Sequence, residues 1–360
     1  MRCVGRGSKL IEGHERREGR LVMAPQSDGS TADLLRLVNG YQVSQALSVA
    51  VELGIPDLIG DVEVSAGELA AGAGADEASL YRLLRALASV GVLREHPGRH
   101  FTIAPLGQGL RADAPGSIAG WVRHVGAPYY WNAWANLLHS VRTGENAFKS
   151  LYGTDVWSYR AERPKENALF NAAMAALTGA QTTALLSTYD FARYGTIADV
   201  GGGTGALLGA ILQRCPHSKG ILFDLEHVVA GARPELERAG VADRCAIVPG
   251  SFFETVPPGA DAYIMKSILH DYTDDRAAAI LRTCRTASSS GVVLLVIERV
   301  VGPPNEDPLT KFSDLNMLVA PDGRERTEAE WRELFSAGGF GLERAIPTPS
   351  GFRVIEGVPV

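Results

Sequence analysis

The feature that most constrains the fold is residues 197–205, Ile197-Ala198-Asp199-Val200-Gly201-Gly202-Gly203-Thr204-Gly205, a short apolar run that carries one acidic residue and ends in a glycine-dense turn. The apolar stretch Ala206 to Leu212 follows at once. This order predicts a buried parallel strand, a ligand-binding loop and a helix whose N-terminal amides face the ligand. Glycine is needed there because a Cβ would block close approach or forbid a turn at positive φ. Downstream, apolar runs at 197–200, 220–223, 245–248, 262–265 and 292–297 alternate with helical patterns, and a closing pair lies near 341–345 and 351–356. That rhythm predicts an α/β fold with a mostly parallel sheet and an antiparallel end. In such sheets ligands bind beyond the carboxyl ends of the strands, so the residues just after each run are the ones to examine.

Gly201, Gly203 and Gly205 recur at every second residue, and the third glycine of a dinucleotide fingerprint would fall on Ala206. A dinucleotide-binding fold is therefore the weaker alternative. With Asp199, the D-x-G-x-G-x-G pattern resembles motif I of the class I S-adenosylmethionine-dependent methyltransferases. Their cofactor carries an amino acid and a sulfonium cation in place of a pyrophosphate, and a loop carboxylate suits that cation.

Asp224 follows Ile221-Leu222-Phe223 and offers a carboxylate able to accept from both hydroxyls of a ribose. After Ala246-Ile247-Val248, Ser251 and Phe252 are the pair expected at an adenine, one for the amine and one for the ring face. Lys266-Ser-Ile-Leu-His270-Asp271-Tyr272 follows the run at 262–265. A helical start there would bring Lys266 and His270 to one side. His270 followed by Asp271, with Glu298 closing the run at 292–297, has the makeup of an oriented general base. A neutral imidazole near its reference pKa of roughly 6.5 can take a phenol proton while a carboxylate on its other nitrogen holds the tautomer.

The N-terminal half reads differently. Apolar residues at helical spacing predict one long helix over 33–53, ended by Gly54-Ile55-Pro56. Ser65 and Glu68 have capping-box spacing, Asp76 opens a further helix to Gly91, and residues 92–94 and 101–103 flank a turn. Helix, short helix, longer helix and hairpin make a winged-helix layout, which raises DNA binding as a rival function. Arg82 and Arg85 on the helix and Arg94 and Arg99 on the wing are too few to track phosphates in a chain of net charge −6. A dimerisation module accounts for the same pattern. Residues 121–190 hold four of the five tryptophans. Single aromatics at helical spacing usually pack a core, but this group ahead of a cofactor loop suits the wall of a pocket for a flat substrate.

No apolar run approaches the roughly 20 residues that a bilayer crossing needs, so no membrane partner is expected. Cys3, Cys215, Cys245 and Cys284 are scattered without C-x-x-C pairing, which favours a reducing, cytoplasmic setting and argues against a zinc site. Residues 1–30 are Gly- and Arg-rich with no apolar core after the twin arginine, and disorder is expected there; Met23 is an alternative start.

Taken together, Asp199-Val-Gly-Gly-Gly-Thr-Gly, Phe223-Asp224-Leu225, Gly250-x-Phe252-Phe253, Lys266-Ser-Ile-Leu-His270-Asp271, Glu298 and Gly323-Arg-Glu325-Arg-Thr327 resemble, in order and spacing, the O-methyltransferases of the plant caffeate and bacterial polyketide type. The resemblance covers about residues 30–360. It implies a Rossmann-like methyltransferase domain with a mostly parallel seven-stranded sheet at 191–360 and a mainly α winged-helix dimerisation domain at 31–115. Residues 116–190 become a helical connector carrying the substrate pocket, and the molecule a homodimer.

By position, the resemblance implies Asp199, Gly201 and Gly203 near the methionine part of S-adenosylmethionine, Asp224 and Leu225 at the ribose, and Gly250, Ser251 and Phe252 at adenine. Lys266 and Thr178 complete the cofactor set. His270 is the base, next to Asp271 and flanked and oriented by Glu298 and Glu325, and Trp157, Phe170, Met174 and Met317 line the pocket of a small aromatic phenol. Products are the methyl ether and S-adenosylhomocysteine, and no metal or nucleic acid is implied. The chain departs from the family pattern at Ser251, where Asp is usual, and at Glu226, where Pro is usual. A relative that keeps the cofactor for decarboxylation or hydroxylation of a polyketide is the alternative, and a cofactor-sensing DNA-binding regulator a more distant one. Arg36 and Arg123 are candidates to pair with a substrate carboxylate.

Overall fold

The computed structural model describes residues 29–360, and the chain divides into two units, residues 1–43 and 44–360. The disorder expected for the N-terminal segment and the alternative start at Met23 concern residues 1–28, which lie outside the described residues.

In the first unit the helix Thr31–Val38 is capped by Ser30, whose hydroxyl accepts from the Asp33 amide. Asp33 also pairs with Arg36 at 2.9 Å. The single helix expected over 33–53 is in fact two, because Asn39 leaves helical geometry and turns its N–H back onto the carbonyls of Leu35 and Leu37. A second helix, Gly40–Glu52, starts at the following glycine, a residue that adds nothing to helix propagation.

The second unit opens with a small winged arrangement. The helix Ala66–Ala73 starts at the Ser65/Glu68 capping box, and the helix Glu77–Ser89 is capped by Asp76, both as expected. Strands β1 (Val64–Ser65), β2 (Leu93–His96) and β3 (His100–Ile103) form an antiparallel sheet in the order β1-β3-β2. Leu69, Leu80, Leu84, Leu87 and Phe101 fill the core beneath it. Five short helices between Ala119 and Ala161 and the 25-residue helix Pro164–Thr188 follow. Most of the aromatic residues here pack on one another: Tyr129, Tyr130 and Phe148 are buried in one cluster.

The large sheet comprises β4 (Thr196–Val200), β5 (Lys219–Asp224), β6 (Cys245–Pro249), β7 (Ala262–Lys266), β8 (Val293–Glu298), β9 (Phe340–Pro347) and β10 (Arg353–Pro359). Its order is β6-β5-β4-β7-β8-β10-β9. The first five strands run parallel, and β10 inserts antiparallel between β8 and β9. Alternation along β4 explains how it is covered on both faces. Ile197 packs with Leu208 and Leu212 of the helix Ala206–Arg214, whereas Ala198 and Val200 pack with Ala277 and Ile280 of the helix Asp274–Ala287. The chain runs from β4 outward through β5 and β6, then returns to β7 on the other side. Beyond the carboxyl end of β4 lies the switch point where open α/β sheets bind ligands. Among the described residues no helix is long and apolar enough to cross a membrane.

Candidate active site

The loop after β4 is built as its sequence requires. Gly201, Gly203 and Gly205 stand at φ of +76°, +62° and +85°. A Cβ on Gly201 would lie 2.5 Å from Ile268 Cδ1, whereas one on Gly203 meets nothing within 4 Å, so the loop is tight on the protein side and open at its crest. Asp224, at the end of β5, accepts from the Gly203 amide at 2.9 Å and from the Leu225 amide at 2.7 Å, tying the loop to the second strand. Gly250 donates its amide to the Asp224 carbonyl at 2.9 Å. Ser251 accepts the Phe253 amide on its hydroxyl, and Phe252 packs against Ile268 and meets Tyr272 edge-on.

Asp199 is buried, and its Oδ2 has no hydrogen-bond partner. Burial and the nearby Asp224 charge push its carboxyl up to about 7, against the pull of Lys266. Lys266 ends β7 and donates to Thr178 Oγ1 at 3.3 Å. Burial brings its ammonium down to about 8, against Glu298 and Asp199. An orphaned buried carboxylate oxygen beside an open glycine crest is the chemistry a cationic ligand completes, and a phosphate would be repelled there. The residues present therefore fit S-adenosylmethionine.

His270 stands on a short 3-10 turn, Leu269–Asp271, just beyond β7. Sequence spacing predicted a helical start that would align it with Lys266. Instead Lys266 finishes the strand and Ser267, at φ +55°, breaks the chain direction before the turn begins. Glu298, at the end of β8, holds the turn: its Oε1 accepts from the amides of Ile268 (2.8 Å), Leu269 (3.0 Å) and His270 (3.4 Å). The ring is held as closely. His270 Nδ1 lies 3.0 Å from Glu325 Oε1 and 3.5 Å from Glu298 Oε2, and Nε2 lies 3.6 Å from Asp271 Oδ1. Glu325 thus makes the orienting hydrogen bond, while Asp271 stands beyond hydrogen-bond distance from the other nitrogen.

These three carboxylates correct the expectation of an imidazole near its reference value. Burial alone would lower the proton affinity of His270, but the charges of Glu298, Asp271 and Glu325 and the hydrogen bond to Glu325 outweigh it and raise the ring to about 10. Burial pushes Asp271 up to about 6 and raises Glu298 as well, whereas His270 holds Glu325 below the ordinary carboxylate range despite its burial. His270, Glu298 and Glu325 also bring one ligand atom each within 4.8 Å of one another, a donor set that a cation could use. The proton that the ring retains at neutral pH competes with that use.

Several residues that frame this turn escaped the sequence reading. Arg326 is fully buried and donates to the carbonyls of Leu269 (3.0 Å) and Tyr272 (2.9 Å), clamping both ends of the turn. Ser313 donates to Glu325 Oε1 at 2.7 Å, and Asp314 accepts the Glu325 amide at 2.9 Å. Arg326 stood inside the stretch Gly323 to Thr327, where a cation between two site residues was the available signal. A Cβ on Gly323 would lie 1.9 Å from the His270 carbonyl, so only glycine fits there.

On the acceptor side, Trp157 and Phe170 meet edge to face with centroids 5.6 Å apart. Met174 lies one turn beyond Phe170 on the helix Pro164–Thr188, half-buried. Met317 is buried on the helix Pro308–Val319, four residues after Ser313 and therefore on the face that reaches Glu325. Of the two arginines considered for a substrate carboxylate, Arg36 pairs with Asp33 and Arg123 donates to the Val51 carbonyl at 3.0 Å.

A glycine loop at the switch point, an acidic residue ending the next strand and a carboxylate-ringed histidine beyond β7 define a class I methyltransferase. The chain belongs to the S-adenosylmethionine-dependent O-methyltransferases: residues 134–341 match the O-methyltransferase domain and residues 35–111 the O-methyltransferase dimerisation domain. It is 43% identical over 328 residues to a phenazine O-methyltransferase of Lysobacter antibioticus, covering 91% of this chain and 96% of the relative. The structure of a mitomycin 7-O-methyltransferase superposes with a TM-score of 0.84 at 38% identity, over 91% of this chain and 97% of that one. An O-methyltransferase from neocarzinostatin biosynthesis, solved with S-adenosylmethionine and 2-hydroxy-5-methyl naphthoic acid, superposes with a TM-score of 0.77 at 33% identity, over 91% and 98% of the two chains.

Proposed function

We propose that this enzyme methylates a phenolic hydroxyl of a small aromatic natural product, with His270 as the group that takes the proton. The observation that carries this reading is the ring of three carboxylates around His270 at the end of β7. This turn adjoins the glycine loop through the Ile268–Gly201 contact. The relatives act on phenazine, mitomycin and naphthoate acceptors, and the half-buried Trp157 and Phe170 give this chain a wall for a similar flat ring.

When bound, S-adenosylmethionine supplies an electrophilic methyl group and leaves as S-adenosylhomocysteine. In this reading Asp199, Gly201, Gly203 and Thr178 hold its methionine part, Asp224 and Leu225 its ribose, and Gly250, Ser251 and Phe252 its adenine, with Lys266 balancing Asp199. Trp157, Phe170, Met174 and Met317 hold the acceptor ring. In its deprotonated form His270 accepts the hydroxyl proton at Nε2, the nitrogen not engaged by Glu325, while Glu325 fixes the tautomer and Glu298 fixes the backbone of the turn. Asp271 adds negative charge on the Nε2 side, which stabilises the imidazolium. Proton affinities are matched, because an ordinary phenol also titrates near roughly 10. No metal takes part. Residues 31–115 form the homodimer contact, 116–190 carry the acceptor pocket and 191–360 bind the cofactor, in a cytoplasmic setting that suits the free buried Cys215, Cys245 and Cys284.

Mass spectrometry of the protein with S-adenosylmethionine and a panel of phenols, naphthols and their carboxylic acids tests the reading. One added methyl on oxygen supports it. Loss of a carboxyl or gain of an oxygen without a methylated product favours the non-methylating alternative. His270→Ala lowers turnover by about 10²- to 10⁴-fold with cofactor affinity kept. If both fall together, His270 is not the base.

A further inference from the structure

Arg160 belongs to no part of the machinery described so far. It sits in the last turn of the helix Val156–Ala161, 4% exposed, among rings. Its guanidinium lies 3.7 Å from the centroid of Phe170, 5.4 Å from Trp157 and 5.9 Å from Tyr129. Among the described residues it forms no ion pair, and its Nε, a buried donor, has no hydrogen-bond partner. The nearby imidazole of His124 adds no charge of its own, since burial and the Arg160 cation push its pKa down to about 3 and leave it neutral. A buried guanidinium without a counter-charge is costly, and natural proteins keep one where something else completes it.

A second orphan points to the same place. The indole Nε1 of Trp157, three residues earlier and so on the same face of the helix, is also buried without a partner. Two unpaired N–H donors, one of them cationic, thus lie on one helix face, both side chains in contact with Phe170. Asp271, the neighbour of His270, is close enough for its charge to act on Arg160, but the two form no ion pair. A planar anion matches this donor set: the guanidinium edge and the indole N–H can each take an oxygen, and arginine is the cation suited to a carboxylate.

We propose that Arg160 and Trp157 form a subsite for a ring carboxylate of the aromatic acceptor, which selects acidic phenols over neutral ones. This rests on the reading of Trp157 and Phe170 as acceptor-pocket residues. The carboxylate completes the two orphan donors, and the hydroxyl on the same ring faces His270. Arg160 is then a specificity residue and takes no part in proton transfer.

The test compares three ligands of one shape, a hydroxynaphthoic acid, its primary amide and the matching naphthol, by quenching of tryptophan fluorescence in the presence of S-adenosylhomocysteine. Wild-type protein binds the acid about ten- to a hundredfold more tightly than the amide. Arg160→Gln brings acid and amide to equal affinity, with the amide unchanged. Arg160→Lys keeps part of the preference, and Trp157→Phe loses a few-fold on the acid only. The affinity for S-adenosylhomocysteine, the same in every variant, reports that the site is folded. The proposal is overturned if wild-type protein shows no preference for the acid, including the case where none of the three binds, or if Arg160→Gln weakens acid and amide alike. A preference that follows ionisation of the hydroxyl in the naphthol as well assigns Arg160 to the phenolate and overturns it too. Methyl transfer is scored separately. Acid selectivity without any methylated product removes the proposed reaction but not the subsite, and methylation of neutral phenols alone does the reverse.

Discussion

Replacing Glu325 by Gln should lower the proton affinity of His270 and weaken the hold on its tautomer. The ring stands at about 10 against an ordinary 6.5 although burial pulls it the other way. That difference corresponds to about 5 kcal/mol favouring the charged ring. Glu298, Asp271 and Glu325 share the effect, and Glu325 contributes both its charge and the hydrogen bond to Nδ1. An even third is already more than about one pH unit, or about 1.4 kcal/mol, so the ring of Glu325→Gln should titrate at or below about 9. Because the folded-state value is raised, the stability this cluster supplies is fully present below about pH 6.5 and is lost as the pH rises through about 10. In the variant the loss is complete about one unit earlier.

The direct assay is a titration of protein labelled at histidine Cε1, followed by carbon NMR. The chain has 8 histidines, and His270→Ala identifies the resonance in question. Turnover measured in parallel should fall about 10²-fold in Glu325→Gln, since the charge-assisted hydrogen bond that fixes the tautomer at Nδ1 is lost, and by far more than cofactor affinity changes. A wild-type midpoint near 6.5, or one that does not move in the variant, would refute the account of the carboxylate ring. So would a midpoint that rises.

Three further outcomes are expected. Asp199, held at about 7 by burial and by Asp224, should make S-adenosylmethionine binding strengthen from pH 6 to pH 8 as the carboxylate ionises; calorimetry on Asp199→Asn should give weaker binding that rises less over this range, and an unchanged pH dependence counts against the assignment. Gly201→Ala places a Cβ 2.5 Å from Ile268 at a φ of +76°, so it should cost about 1–3 kcal/mol and weaken cofactor binding, read as a lower Tm and a smaller cofactor-induced rise. Arg326→Met removes the clamp on the carbonyls of Leu269 and Tyr272 and should lower kcat with little change in cofactor affinity, a split that uniform unfolding would not produce.

Local chemistry was legible in the sequence where one short segment decides it. The glycine loop, the Ser65/Glu68 capping box and Asp224 at a strand end depend on neighbours a few residues away, and each stands where the spacing placed it. The antiparallel end of the sheet was legible for the same reason, as two late apolar runs after the last long helix pattern. What escaped depends on partners far along the chain. Nothing near Arg160 in sequence shows that Phe170 and Trp157 close over it, and nothing near Arg326 shows that its guanidinium spans the His270 turn. The break at Asn39 was hidden differently: the apolar period continues across it, while the backbone does not.

The charge state of His270 is the sharpest instance, and it bears on how the site works. The resemblance named Glu298 and Glu325 as the carboxylates that flank and orient His270, and both stand at its Nδ1; the adjacent pair His270-Asp271 alone could not show this, because residues 298 and 325 reach the ring only through β8 and the segment after Met317. Three carboxylates around one imidazole make a strong base that is protonated at rest, and two more, Asp199 and Asp224, act on each other at the ends of β4 and β5. Such an excess of negative charge favours a cationic ligand in the glycine loop, and reciprocity requires that a cation held there lower the proton affinity of His270 in turn. The charges that link the two sides are pairwise, Asp199 with Lys266 and Lys266 with Glu298, and Glu298 in turn acts on His270.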